Sequence, residues 1–156
     1  MKFKYNFTVN KSPTANIKDW SKVTKQELEE STRLHCLDIA GALAVIREEI
    51  SHRNRWHDHT KIDLIDDFHA DFVTGFKQTL WWDVHKQMER HHLAWNRVNE
   101  DINLVDIIEH VADCVVSCIA RSGKENFRMP EISNELLQKA VQNTCTMLIN
   151  SAEVVE

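Results

Sequence analysis

The doublet His57-Asp58, with His85 and the pair His91-His92 downstream, sets imidazole and carboxylate side chains where a divalent cation could draw on them. Six of the nine histidines fall between Arg55 and His92. Histidine is a middling helix former and costs free energy when buried without a partner, so packing alone gives little reason for this concentration. Neutral imidazole and carboxylate together suit borderline to hard cations such as Zn, Fe, Mn or Mg rather than copper(I). A His-Asp doublet is common by chance, and only further ligands from elsewhere in the chain would make it a site.

Asp106, Glu109, His110 and Asp113 fall at relative positions 0, 3, 4 and 7, which is one stripe of a helix. Two readings stand for it. Like-charge neighbours cost only ~0.2–0.5 kcal/mol each at an exposed surface, so the stripe can be solvated decoration. If it faces the histidines instead, a cation removes the repulsion and Asp113 becomes a natural ligand. Lys61, four residues after His57, reads as a phosphate contact or as the ion-pair partner of a ligand carboxylate. Arg53 and Arg55 could meet an anionic substrate, exposed helix-end arginines being the plainer reading. Trp56, Trp81, Trp82 and Trp95 flank the histidines; large aromatics there are core first, with stacking on a base or sugar the functional alternative, taken here for Trp82. His52, His59 and His69 are assigned to the surface or to supporting positions around the ligands.

The elements that must position these groups are helical. Thr24-Lys25-Gln26-Glu27 is a capping box, and it opens a long helix with Leu28, Leu34, Ile39, Leu43, Ile46 and Ile50 along one face. His35 lies close to that face, which predicts a buried or half-buried side chain. Ser51 to Arg55 should end the helix and turn the chain toward His57. A second helix is expected from Lys61 to the region of Gly75–Thr79, and a third from about Trp81 to Asn96. The third puts Trp81, His85, Met88 or Glu89, and His92 on one stripe, with His91 about a third of a turn away. Asn103 reads as the N-cap of a fourth helix that buries Ile107 or Ile108, Val111, Cys114 or Val115, and Cys118 or Ile119, and that stops at Gly123. A fifth follows Pro130, with Ile132, Leu136, Leu137, Ala140, Val141, Cys145 and Leu148 on its apolar face. Residues 1–10 alternate Phe3, Tyr5, Phe7 and Val9 with polar residues, the pattern of a strand. With no second strand in sight it is expected to be a strap over the helices, or else an arm that pairs with another subunit in a homo-oligomer.

Composition bounds the rest. The 156 residues, 42% of them hydrophobic, suffice for one self-contained core. A net charge of -5, from 19 basic and 24 acidic residues, leaves no broad basic surface for duplex nucleic acid. Cys36, Cys114, Cys118 and Cys145 form no CxxC pair and read as reduced thiols. No stretch resembles a signal peptide or a membrane span, so no membrane partner and a cytoplasmic location are expected. Three glycines argue against a phosphate loop or a dinucleotide-binding turn. The expected architecture is all-α: an extended arm and loop over 1–23, then a single bundle of five to six helices over 24–150.

His35, His57-Asp58 followed by Thr60-Lys61, and Asp113 resemble the pattern of the HD superfamily of metal-dependent phosphohydrolases. The motifs His57-Asp58-His59-Thr60-Lys61, His85, His91-His92 and Glu109-His110-Val111-Ala112-Asp113 are more similar still to those of a family of small HD-like helical proteins of unknown function. The likeness covers roughly residues 30 to 124. It implies an HD-like bundle in which His35, His57, Asp58 and Asp113 bind a first metal. It also implies a second metal held by His85 and His92, with His91 the less certain member and Asp58 bridging. One or two divalent ions are thereby expected, whether Mn, Fe, Zn, Ni, Co or Mg. The activity implied is hydrolysis of a nucleotide or other small phosphorylated compound, with Asp58 and Lys61 in the catalytic role and Lys61, Arg55 and Trp82 toward the substrate. HD-like scaffolds also host di-iron oxygenases. Two further readings are an all-helical nucleoside triphosphate pyrophosphatase, which the many histidines disfavour because magnesium prefers oxygen, and a non-catalytic binding module with a structural metal.

Overall fold

The structure, a computed structural model, describes residues 5–14, 18–77, 80–93 and 98–155. Helix dominates, and the class is all-α as expected: α1 (Lys25–Trp56), α2 (His59–Asp63), α3 (Ile65–Phe72), α4 (Trp81–Met88), α5 (Leu104–Ser122) and α6 (Asn134–Ser151). Two short strands complete it, β1 (Phe7–Asn10) and β2 (Ala152–Val155). No helix among the described residues is long and apolar enough to cross a membrane. The chain divides into two compact units, Met1–Glu49 with Cys145–Glu156, and Ile50–Thr144. This division does not fall at the expected boundary between 23 and 24. The expected strand residue Phe3 and Trp95, one of the tryptophans that flank the histidines, lie outside the described residues.

In the first unit β1 is not alone. It pairs in parallel with β2, Phe7 opposite Ala152 and Asn10 opposite Val155. The second strand escaped sequence reading because Ala152-Glu153-Val154-Val155 is too short to display a period. β1 also lies along α1, as a strap would. An ideal Cβ on Gly41 would come 3.0 Å from the Phe7 Cβ, so the glycine inside the helix makes room for that ring. The Asn10 backbone N–H donates to Asp38 Oδ2 at 3.0 Å. Thr24 and Glu27 cap α1 as expected, each side chain accepting from the other's backbone N–H at 2.9 and 3.2 Å. The predicted apolar face of α1 is covered only in part: Leu34 and Ile46 are half-buried, Leu28, Ile39, Leu43 and Ile50 are exposed, and Val45 is the buried residue of the helix. His35, expected to be buried, is exposed with them.

The second unit has its own core, Leu93, Ile102, Ile107 and Ala140, with Val98, Leu104, Ile132 and Leu136 packed against it. Three helix ends in this unit differ from expectation. α1 runs on through Ser51–Arg55, which hold no glycine or proline, and stops only at His57-Asp58, where Asp58 takes φ 56°. Aspartate is one of the few non-glycine residues that enters the left-handed region. The helix after the doublet breaks at Leu64 (φ -118°, ψ 42°) into α2 and α3. Finally, α4 stops at Met88 although Lys86-Gln87-Met88-Glu89-Arg90 are strong helix formers, because Glu89 turns extended (φ -88°, ψ 114°). Buried partners claim the side chains beyond that point, and tertiary contacts override propensity. α5 keeps its boundaries, with Asn103 capping Val105 and Asp106 and Asp106 returning the bond.

Candidate metal centre

All the groups described next belong to the second unit. The turn after α4 alternates its side chains between four destinations. Glu89, 4% exposed, accepts from the Thr60 backbone N–H at 3.0 Å and from the Thr60 hydroxyl at 2.8 Å. Arg90 grips the buried Asp106 with Nε and Nη2 at 2.8 and 2.7 Å. His91 Nε2 comes 3.6 Å from Asp58 Oδ1, and His92 Nε2 lies 2.8 Å from His85 Nε2. The sequence period placed His91 off the His85–His92 stripe. Because the helix ends at Met88, that period does not apply, and both histidines turn inward.

Hydrogen-bond logic fixes which ring nitrogens face the centre. The Thr60 hydroxyl has one hydrogen, and a carboxylate can only accept, so that hydrogen goes to Glu89. Thr60 Oγ1 therefore accepts from His85 Nδ1–H at 2.7 Å, leaving His85 Nε2 as a bare lone pair. In the same way Glu109 Oε1 accepts from His57 Nδ1–H at 2.9 Å and lies 3.5 Å from His91 Nδ1. The Nε2 atoms of His57 and His91 are thereby turned to Asp58. This is how metal-binding imidazoles are held: the outer nitrogen donates to an oxygen, which orients the ring and raises the basicity of the inner one.

Asp58 stands between two groups. Its Oδ1 is 3.4 Å from His85 Nε2 and 3.6 Å from His91 Nε2, whereas its Oδ2 is 3.6 Å from His57 Nε2. Asp113 Oδ1 is 3.7 Å from that same His57 nitrogen. Asp58, His85, His91 and His92 form one set able to surround a cation, and His57, Asp58 and Asp113 a second. Ligand atoms ~2.1 Å from one cation sit roughly 3.0–3.4 Å from each other, close to the separations here. Asp58 Oδ1 is buried and has no hydrogen-bond donor. An unpaired carboxylate oxygen facing two imidazole lone pairs is costly without positive charge between them, so the donor set fits a divalent cation. Lys61 pairs with Asp58 Oδ2, the second of its two expected roles.

The electrostatics follow from burial and neighbours. Burial pushes His85 down to about 4, Asp58 opposing the shift. Burial and the charge on His91 and His85 likewise bring His92 to about 4. Burial alone would lower His91 too, but Glu109, Asp58 and Asp113 raise it above the ordinary value. Burial tends to raise both Asp58 and Glu109. Lys61 and the nearby imidazoles hold Asp58 below the usual carboxylate value, and His91 and His57 do the same for Glu109.

Of the expected ligands, the structure brings together His57, Asp58, His85, His91, His92 and Asp113. His35 is not among them: it belongs to neither set, and the exposed side of α1 carries it. Arg55 is exposed and makes no hydrogen bond or ion pair with the centre. Arg53, two residues or about 200° away on the helix, does face it, with Nη2 3.4 Å from Asp106 Oδ1 and Nε 4.0 Å from Glu109 Oε2. Trp82 is half-buried and packs beside the centre, its ring 5.4 Å from that of His85 and 5.5 Å from that of His92. On α5 the acidic stripe turns inward at Asp106, which is fully buried beside Val105 and Ile107, while Ile108, Val111 and Ile119 of the expected apolar face are exposed. Residue periodicity did not reveal the orienting roles of Thr60, Glu89 and Glu109. Two of them had a signal: Glu89 follows His85 by four residues, and Glu109 precedes Asp113 by four, so each pair shares a helix face.

No family model, curated protein or solved structure matches the chain. The functional reading rests on the residues themselves.

Proposed function

We propose that this chain is a metal-dependent phosphohydrolase acting on a nucleotide or other small phosphorylated compound. The observation that carries the reading is the convergence of four imidazoles and two carboxylates, three of the imidazoles with their outer nitrogens turned to oxygen atoms. A set so rich in nitrogen favours Mn, Fe, Co, Ni or Zn over Mg. A divalent cation held there would acidify a water molecule at neutral pH and offset charge on phosphoryl oxygens.

The chain's own groups would do the rest. Asp58 presents one oxygen to each ligand set and holds both in register. Lys61, with a third of its side chain exposed at 34%, can leave Asp58 for a substrate phosphate once a cation neutralises that carboxylate. Trp82 offers a flat apolar surface beside His85 and His92, with Lys86 Nζ 5.6 Å from its ring centre, a setting suited to a base or sugar. The motif resemblance to HD phosphohydrolases supports the same reaction class.

Metal analysis of the purified protein, followed by phosphate release from a panel of nucleotides and sugar phosphates, tests the reading. Bound transition metal, release that depends on it, and loss of both in Asp58→Ala are expected. Release undiminished in Asp58→Ala, or no metal bound by the wild type, would overturn it. Turnover that requires oxygen would instead indicate an oxygenase.

A further inference from the structure

We propose that Glu109 is a positioning residue shared by both halves of the metal centre, so that the affinity of each half depends on it. The inference rests on the metal-centre reading above and concerns what governs it. Glu109 Oε1 lies 2.9 Å from His57 Nδ1 and 3.5 Å from His91 Nδ1. His57 belongs to the set that uses Asp58 Oδ2 and Asp113, and His91 to the set that uses Asp58 Oδ1, His85 and His92. One carboxylate oxygen thus holds the His57 ring of one half by a hydrogen bond and faces the His91 ring of the other at 3.5 Å, and the two rings lie side by side with centres 4.4 Å apart.

Glu109 is built to stay in place. Its side chain is 12% exposed, it lies in the second turn of α5, and Arg53 approaches its other oxygen at 4.0 Å. Asp113, one turn further along the same helix, meets the opposite nitrogen of His57, so this stretch of α5 brackets that ring from both sides. His57, His91 and Glu109 also lie close enough to be a third ligand set. The proton on His57 Nδ1 is directed at Glu109, however, and a ring nitrogen that donates a proton has no lone pair for a metal. The contrast is Glu89, which orients His85 through Thr60 and therefore acts on one half alone.

Titration of metal-free protein with Co2+, read by calorimetry and by the visible ligand-field bands, separates the roles. The wild type is expected to take two equivalents. Glu109→Gln should weaken both by about 10–100-fold and change the bands of both. Glu109→Asp, which keeps the charge on a shorter stem, should weaken both less. Glu89→Gln should weaken one equivalent only. Far-UV dichroism shows which variants fold. If either folded Glu109 variant keeps wild-type affinity at both equivalents, or loses only one, the shared role is refuted while the metal centre stands. A wild type that takes a single equivalent also refutes it. A wild type that takes none removes the metal-centre reading and this inference together.

Discussion

Arg90 carries the heaviest structural demand of any residue around the centre, and replacing it gives a sharp test. Its guanidinium makes two bonds of 2.8 and 2.7 Å to Asp106, whose side chain is 1% exposed, and a third of 2.9 Å to Asp101 Oδ1. Arg90→Met keeps most of the apolar stem and removes the charge, leaving a carboxylate that cannot be hydrated. Breaking a buried pair from one side costs about 3–5 kcal/mol. Two donors remain on Asp106, the Asn103 backbone N–H at 2.9 Å and Arg53 Nη2 at 3.4 Å, so the lower end, about 3 kcal/mol, applies. Against a typical stability of roughly 5–15 kcal/mol that is a large fraction. Urea denaturation of the metal-free protein, followed by far-UV dichroism, reads the loss. The double variant Arg90→Met with Asp106→Leu should recover part of it, since no buried carboxylate is then stranded. A loss below about 1 kcal/mol in Arg90→Met, with an unchanged denaturant slope, would refute the assignment of Asp106 as a buried anion that depends on Arg90.

Two other outcomes are expected. In the metal-free protein His85 and His92 titrate at about 4 when folded against an ordinary 6.5, so the unfolded chain binds more protons between those values. The stability these two groups contribute is present above pH ~6.5 and is lost as pH falls toward 4, on the order of 3 kcal/mol for the fully buried His85. His91, raised, works with the opposite sign, adding stability below its unfolded value that fades as pH rises through its folded one. A urea midpoint that fails to drop between pH 7 and pH 4 would contradict the burial of His85 and His92. His35→Ala should leave metal stoichiometry and affinity unchanged, whereas His91→Ala should abolish binding at one equivalent. Loss of metal in the His35 variant would restore the ligand set implied by the motif resemblance.

Much of this arrangement was legible before any coordinates. Capping chemistry gave the start of α1 at Thr24 and Glu27 and the start of α5 at Asn103, because those signals are local and each rests on a few named atoms. The candidate ligand residues His57, Asp58, His85, His92 and Asp113 stand out because imidazole and carboxylate are uncommon tenants of an inward face. Periodicity failed where long-range partners decide. Nothing between Lys86 and Arg90 announces the end of α4, since the turn exists for Thr60 and Asp106, which lie far away in sequence. The inward face of α5 was ambiguous because an acidic stripe looks the same whether it meets water or imidazoles. His35 was expected among the ligands because the motif resemblance implies it, and expected to be buried because it lies close to an apolar face; in the structure its side chain is exposed.

The parallel pairing of β1 with β2 bears on the order in which the protein is made. Phe7 and Ala152 stand opposite each other, so the first unit draws on two segments with the whole of the second unit between them. The second unit is continuous in sequence, from Ile50 to Thr144, and holds each of the groups that surround Asp58. Those groups are all synthesised before the residues of β2. Closing a long loop adds little cost over closing a shorter one, so β1 can wait for its partner without a large entropic penalty. The donor set around Asp58 is therefore complete in the growing chain before the first unit is.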